Sequence, residues 1–459
     1  MLAARPFCLH NSIMRRPIGI DLFAGAGGMS LGFEQAGFDV VAAVEIDPVH
    51  CAVHEYNFPH CAMLPRSVVG LSGAQVRKAA GIGTRKVDVV FGGAPCQGFS
   101  LIGQRVLDDP RNNLVKDFLR IVNELDATHF VFENVKGLTV GKHRQFLDEF
   151  IALAQTLGYD VRMPWTVLDA ASYGVPQHRE RLILFGAKKN RPLAIYPNAL
   201  TSPASSRAPT DVKLMTGPTV HEAIGDLPNA DDFSALLESD EVRVPNWNAT
   251  SAFAREMRSI GNEAWHFGYV RRWKPDWLTS SARTNHSAIS RRRFSETKGG
   301  DVEPISRFFR LPMSGLSNTL RAGTDGARGA FTSPRPIHYR FPRCVTVREM
   351  ARLHGFPDWF RFNETKWHGA RQIGNAVPPP LARAVAAKVL EALKVEPSRP
   401  FETLDCGDEG LLRMNLSSAS DYFGIERPPS RRDKKSGAKK RKQHEIEAIR
   451  LLAMELEDA

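Results

Sequence analysis

Strand and helix patterns alternate over the first 190 residues, and this restricts the chain more than any single residue does. Residues 18–23 form an apolar run broken only by Asp21, long enough for a strand buried on both faces. The run enters Ala24-Gly25-Ala26-Gly27-Gly28, and a helical pattern follows over about 29–36. A second strand pattern at 39–44 ends in Glu45-Ile46-Asp47, with a helix through about Tyr56. Strand patterns recur at 87–91, 129–132, 163–168 and 181–186, and helical ones at about 113–125 and 143–157. Strands and helices taken in turn predict an α/β fold on a doubly wound, mostly parallel sheet.

The pattern stops near Lys188. Residues 190–341 are irregular and rich in Pro, Gly and Ser. Four of the seven tryptophans fall there, at 247, 265, 273 and 277, among Arg271, Arg272 and Lys274. Helical patterns return at 347–353 and 380–393. These changes divide the chain into a first α/β part (1–189), a smaller irregular domain (190–341), a return to the first domain (342–395), and a linker, basic stretch and C-terminal helix (396–459).

Charge points to a polyanionic partner. Of a net +11, residues 255–340 carry 16 Lys and Arg against 7 Asp and Glu, and residues 430–442 carry 8 against 1. The rest of the chain is slightly acidic, so the positive charge is concentrated in two segments. A solvated basic surface and a tail without structure are the alternative. No apolar run reaches membrane-spanning length, and residues 1–17 have no apolar core of a signal peptide. The six cysteines form no Cys-x-x-Cys pair and no cluster with metal spacing, so no metal and a reduced, cytoplasmic, nucleoid-associated protein are expected.

Three segments carry chemistry. A strand, a Gly-rich turn and a helix make a nucleotide-type pocket, and Glu45 ends the next strand where a carboxylate can accept from both ribose hydroxyls. Ser30 occupies the place of the third dinucleotide glycine, which argues against a nicotinamide cofactor. The segment Gly92-Gly93-Ala94-Pro95-Cys96-Gln97-Gly98-Phe99-Ser100 follows a buried strand, so Cys96 is placed as an exposed nucleophile whose thiol pKa local amides or positive charge can lower. Glu133 ends the apolar strand at 129–132, where partial desolvation raises a carboxyl pKa and keeps a proton available. In Gln177-His178-Arg179-Glu180-Arg181, alternation puts Gln177, Arg179 and Arg181 on one side and Glu180 on the other. Fixed guanidinium forks suit an oxygen and a phosphate.

In order and separation these segments resemble the DNA cytosine-5 methyltransferases of bacterial and phage type. The resemblance covers about 18–190 and 340–393, including Asp109-Pro110-Arg111-Asn112, Thr346-Val347-Arg348-Glu349 and Gly355-Phe356-Pro357. It implies methyl transfer from S-adenosylmethionine to carbon 5 of a flipped cytosine through a Cys96 adduct, with Glu133, Arg179 and Arg181 at the base. It also implies a cofactor site of Phe23, Gly25, Gly27, Gly28, Glu45, Ile46, Pro95, Leu114, Asn375 and Val377. The last two belong to the segment 372–379, expected as a turn before a helix. Gln97, Ser100 and Gln177 are implied beside the flipped nucleotide. Ser67 stands where the family usually has an adenine-binding Asp, and Ala94 where a proline is more often found.

A base inside a duplex is out of reach, so it must be rotated out. Residues 190–341 then have the task of gripping double-stranded DNA. Arg271, Arg272, Arg291, Arg292, Arg293 and Arg321 are the candidates for phosphate contact and guanine readout. A monomer is expected, and a cognate restriction endonuclease acting on the same site is left open. Three other readings compete: a tRNA methyltransferase of the same family, a non-enzymatic DNA-binding relative, and a nicotinamide oxidoreductase. The tRNA branch typically carries a Cys-Phe-Thr tripeptide, which this sequence lacks.

Overall fold

The computed structural model describes residues 16–94, 113–141, 143–203, 214–324 and 334–427. Its centre is an eight-stranded sheet of β1 (Ile18–Leu22), β2 (Asp39–Glu45), β3 (Ala62–Pro65), β4 (Val89–Gly92), β5 (His129–Val135), β6 (Tyr159–Val161), β7 (Thr166–Asp169) and β8 (Glu180–Lys188). The order is β3-β2-β1-β4-β5-β8-β6, with β7 also on β8. Helices α1 (Gly28–Ala36), α2 (Pro48–Asn57), α3 (Gly73–Ala79), α4 (Asn113–Glu124) and α5 (His143–Thr156) connect the strands. β3, α3 and β6 are short, and the sequence patterns did not reveal them.

One half of the sheet is not parallel. β1 to β5 pair in parallel, but β8 runs antiparallel to β5, β6 and β7. The cause is local. β7 ends at Asp169 and β8 starts at Glu180, a gap shorter than the dozen or so residues a parallel crossover needs. The chain therefore turns back on itself, and Arg179 and Arg181 arrive beside the end of β5.

Alternation along the strands sorts the core into two layers. On β4, Val89 and Phe91 join one buried cluster and Val90 the other, and Phe130 and Phe132 lie opposite Val131 on β5. In one layer Phe91 stacks on Phe33 of α1, with centroids 3.7 Å apart. In the other, Phe118, Phe130, Phe132 and Phe150 pack together, with Phe132 and Phe150 at 4.5 Å. Such ring contacts add about 0.5–1.5 kcal/mol each beyond area burial.

Residues 190–341 carry short strands and the helices α6 (Val220–Ile224), α7 (Ala252–Met257) and α8 (Ala288–Glu296). The chain then forms α9 (Val347–Leu353), α10 (Lys366–Asn375), α11 (Pro379–Leu393) and α12 (Leu416–Phe423). Many buried residues of 190–341 share the α1/α9/α11 core, Val220, Ala223, Leu236 and Trp265 among them. Trp265 stacks on Trp359 at 5.9 Å, and Trp247 lies under the Arg258 guanidinium at 3.9 Å, so these tryptophans have packing roles.

A buried ion-pair cluster joins α6 to α9. Arg352 holds Asp358 at 2.6 Å and Asp226 at 3.1 Å, and also donates to Ala223 O at 3.0 Å. Arg343 forms a fork on Glu349, with both contacts at 2.8 Å. Removing one partner of such a cluster leaves buried charge uncompensated. Arg352→Met is expected to lower stability by about 3–5 kcal/mol, read from urea unfolding midpoints. A loss below about 1 kcal/mol would show that Asp226 and Asp358 find other partners.

The expected linker after residue 396 is partly folded. Thr403–Asp405 pairs in parallel with Val270–Arg272, and Leu411, Leu412 and α12 pack against Ala52, Val53 and Tyr56 of α2. Its apolar residues are few and interrupted by charge, so periodicity did not reveal them. The basic stretch at 430–442 and the expected terminal helix lie outside the described residues. Among the described residues no helix is long and apolar enough to cross a membrane.

Candidate active site

The C-terminal ends of β1, β2, β4 and β5 open into one cavity of about 760 Å³. This is where ligands bind in open α/β sheets. One wall comes from Phe23, Gly25, Gly28, Glu45 and Ile46, with Leu114, Asn375 and Val377 also lining the cavity. Glu45 is held rigidly. Its Oε2 accepts from Gly25 N at 2.8 Å, and its Oε1 from Ile46 N at 2.9 Å and Asp47 N at 2.8 Å. A carboxylate has about four acceptor positions, so capacity is left for a ligand hydroxyl. Asp47 caps α2, accepting from Val49 N at 2.9 Å.

Gly28 brings the late segment to this loop. A Cβ there would fall 2.5 Å from Val377 O, so any side chain would push the segment out of the cavity wall. Residues 372–375 belong to α10 instead of forming the expected turn, and the chain leaves the helix at Ala376. Gly27 does not line the cavity. A Cβ there would fall 2.4 Å from the Phe58 ring, so its role is packing behind the loop. Ser67 does line it, between Arg66 and Val68, and accepts from Val69 N at 3.1 Å.

The opposite wall holds Glu133, Arg179 and Arg181. Arg181 Nε lies 2.7 Å from Glu133 Oε1, and both side chains are 12 % exposed. Burial pushes the Glu133 carboxyl up, and Arg181 and Arg179 oppose it without cancelling the rise. Glu180 faces away and pairs with Lys136 at 2.7 Å. A Cβ at Gly93 would meet Glu133 Oε2 at 2.2 Å, so a side chain there would displace the carboxylate from its present position. Asn134 Nδ2 donates to Ala94 O at 3.1 Å, tying the end of β4 to β5. Pro95, Cys96, Gln97 and Ser100 follow directly and lie outside the described residues.

Arg179 is only 1 % exposed. Its Nη1 donates to Leu320 O at 2.9 Å and its Nη2 to Gly374 O at 2.8 Å, so much of its fork holds backbone.

Several candidates for DNA contact are placed elsewhere. Gln177 is fully buried among Leu320, Leu353 and His354. Arg271 is buried on Glu34 of α1 at 2.7 Å, since its side chain points inward from Val270–Arg272 while that of Arg272 points out. Arg291 pairs with Asp231 at 2.7 Å, and Arg293, 13 % exposed, with Glu303 at 3.3 Å. The acidic partners sit 60 and 10 residues away in sequence, which is why a basic run looked unpaired. Arg272 remains exposed beside Asp405, and Arg292 beside Glu296. Arg321 is exposed and lines the cavity.

Sequence reasoning passed over Asp21, which also lines the cavity. Ser30 Oγ donates to Asp21 Oδ2 at 2.6 Å, and His54 Nε2 lies 3.0 Å from the same hydroxyl. Burial pushes the Asp21 carboxyl up to about 8, opposed by the Ser30 hydrogen bond and reinforced by Glu45. An acid raised in the folded state holds its proton longer there than in the unfolded chain. Stability is therefore full below the ordinary value of 3.8 and falls as pH rises towards 8. Asp21→Asn is expected to remove a slope of at most about 1.4 kcal/mol per pH unit, measured by urea unfolding of the ligand-free protein between those limits. Identical slopes in both proteins would contradict a buried neutral carboxyl.

The sequence model of the C-5 cytosine-specific DNA methylases matches residues 18–391, spanning both walls of the cavity. The chain belongs to that family. As a C-5 cytosine-specific DNA methylase it is similar to the Type II methyltransferase M.XorII of Xanthomonas oryzae pv. oryzae. The two are 55 % identical over 412 residues, 90 % of this chain and 93 % of the relative. M1.HphI of Haemophilus parahaemolyticus, also a Type II methyltransferase, is 35 % identical over 379 residues, 81 % of this chain and 86 % of the relative. Among solved structures, a candidate DNA modification methyltransferase encoded within an E. coli prophage superposes with a TM-score of 0.65. It shares 30 % identity and covers 82 % of this chain and 99 % of its own. The fold is that of the C5 methyltransferases, and the enzyme is a DNA cytosine-5 methyltransferase.

Proposed function

We propose that this methylase modifies cytosines within one short motif of double-stranded DNA, rotating each target base out of the duplex. The observation that carries the reading is a single cavity with a Gly-rich loop and Glu45 on one wall and Glu133, Arg179 and Arg181 on the other. The narrow approach of Gly28 to Val377 makes a cradle suited to S-adenosylmethionine, with Glu45 for the ribose and Phe23, Ile46 and Leu114 for the apolar parts. When bound, that cofactor supplies an electrophilic methyl group.

The chain's own residues prepare the base. The Cys96 thiolate adds to carbon 6, and the displaced π electrons move into the ring. Glu133 delivers its proton to ring nitrogen 3, so the ring does not carry the negative charge. Arg181, fixed by Glu133, presents its fork to the cytosine oxygen. Carbon 5 then takes the methyl group, leaving S-adenosylhomocysteine; a solvent base removes the carbon 5 proton, nitrogen 3 returns its proton to Glu133, and Cys96 leaves as thiolate, which restores the ring. Arg321 at the cavity and the exposed Arg272 and Arg292 are the candidate contacts to the duplex. The Type II names of the relatives support a restriction-modification setting with an endonuclease that cuts at the same motif.

Bisulfite sequencing of DNA from cells expressing the chain tests this reading. Protected cytosines should recur in one short motif. Protection scattered without a motif, or absent while folded protein binds S-adenosylhomocysteine, would contradict it.

A further inference from the structure

Gln177 and His354 are buried in the core, one residue behind the cavity wall, and the chemistry above uses neither of them. Each is fully buried, yet every polar atom of their side chains has a partner. Leu320 N donates to Gln177 Oε1 at 2.9 Å. Gln177 Nε2 donates to His354 Nδ1 at 3.0 Å and to Leu353 O at 3.2 Å. His354 Nε2 lies 3.0 Å from Ala376 O. Burial, with Arg179 and Arg181 nearby, holds the His354 imidazole well below its usual range, so the ring is neutral. A neutral ring accepting at Nδ1 must carry its proton on Nε2, and it donates that proton to Ala376 O.

The result is a directed chain of three hydrogen bonds: Leu320 N–H to Gln177, Gln177 to His354, His354 to Ala376 O. Its ends have different surroundings. Leu320 lines the cavity next to Thr319 and Arg321, on the segment that also touches the base-side wall. Thr319 Oγ1 donates to His178 O at 2.7 Å, and Arg179 Nη1 grips Leu320 O. Ala376 lines the cavity between Asn375 and Val377, against the Gly28 loop. Arg179 Nη2 on Gly374 O makes a second, parallel link between the same two walls.

Resting on the proposed cofactor and base sites, we propose that Gln177 and His354 are positioning residues that couple the two. Occupation of the Ala376–Val377 wall by the cofactor fixes Ala376 O, and the relay then fixes Leu320 and Arg321 where the target base and its phosphate arrive. By reciprocity, a docked duplex tightens the cofactor site by the same factor. A fully satisfied buried network has one favoured arrangement, which lets it transmit position. Mere adjacency does not establish coupling, so the test has to measure coupling itself.

S-adenosylhomocysteine is titrated by calorimetry into the full-length protein alone, and into the protein with a duplex carrying the motif found by bisulfite mapping. The wild type is expected to bind it about tenfold tighter with the duplex present. In His354→Phe the ratio should fall to about one, while each separate affinity changes by less than about threefold. His354→Gln should keep the ratio, because an amide can accept from Gln177 and donate to Ala376 O. Gln177→Met provides a second break in the relay and should behave as His354→Phe does. Equal ratios in the wild type and both broken variants would overturn the coupling. So would parallel loss of both separate affinities, which marks a purely structural role, or a ratio of one in the wild type. A wild type that binds no S-adenosylhomocysteine at all would overturn the cofactor reading as well, and it is distinguished because no separate affinity can be measured.

Discussion

Cys96→Ala should lower methyl transfer about ten-thousandfold or more, as loss of a covalent nucleophile does elsewhere. Carbon 5 of cytosine is a poor nucleophile until a thiolate has added at carbon 6, and no other cysteine among those described is placed to substitute. Cys51, Cys61 and Cys344 are buried, and burial pushes each thiol up, which opposes thiolate formation. Cys406 belongs to the segment packed on α2, and burial raises it too. The assay is transfer of tritiated methyl groups from S-adenosylmethionine to unmethylated DNA, beside calorimetric binding of S-adenosylhomocysteine. Binding should persist, because the proposed role of Cys96 is on the base and not on the cofactor. Transfer within tenfold of wild type would exclude the covalent route.

Glu133→Gln is the second large effect, expected at about 10²–10⁴-fold in kcat. The amide keeps the volume and can still meet Arg181, but it has no acidic proton to deliver to ring nitrogen 3. The pH profile provides the sharper reading. Burial raises the Glu133 carboxyl even against Arg181 and Arg179, so its protonated form survives to higher pH than an ordinary carboxyl allows. Wild-type kcat should therefore fall as pH rises through that value, and the Gln variant should lack this limb. A variant that keeps both the rate and the limb would remove Glu133 from the proton path.

Much of this was legible from spacing alone. β1, β2, β5 and α1, α2, α4, α5 lie close to their sequence patterns, because two-face burial leaves continuous apolar runs and helices leave a 3.6-residue stripe. Glu133 and Arg181 were each legible near strand ends, but not as partners; the structure pairs them at 2.7 Å, where an unpaired carboxyl was expected. The antiparallel turn of β8 was not visible, since it depends on how little chain joins β7 to β8.

The basic residues show where local reading ends. Arg271, Arg291 and Arg293 looked like a surface for DNA, but they pair with Glu34, Asp231 and Glu303, each ten or more residues away in the chain. Gln177 reads as a polar residue on the arginine face, yet it is enclosed by Leu320 and His354, more than 140 residues away in sequence.

By itself, then, the sequence pointed to the fold class, to the strand ends that line the cavity and, through the order of its motifs, to the family. These are properties of periodicity and of glycine, cysteine and carboxylate placement, which act over a few residues. Only the tertiary structure decided which arginines are buried in ion pairs and which stay exposed, which polar groups are enclosed, and how the late helix closes the cavity. Burial and charge pairing depend on which distant segments meet, and no local pattern encodes that meeting.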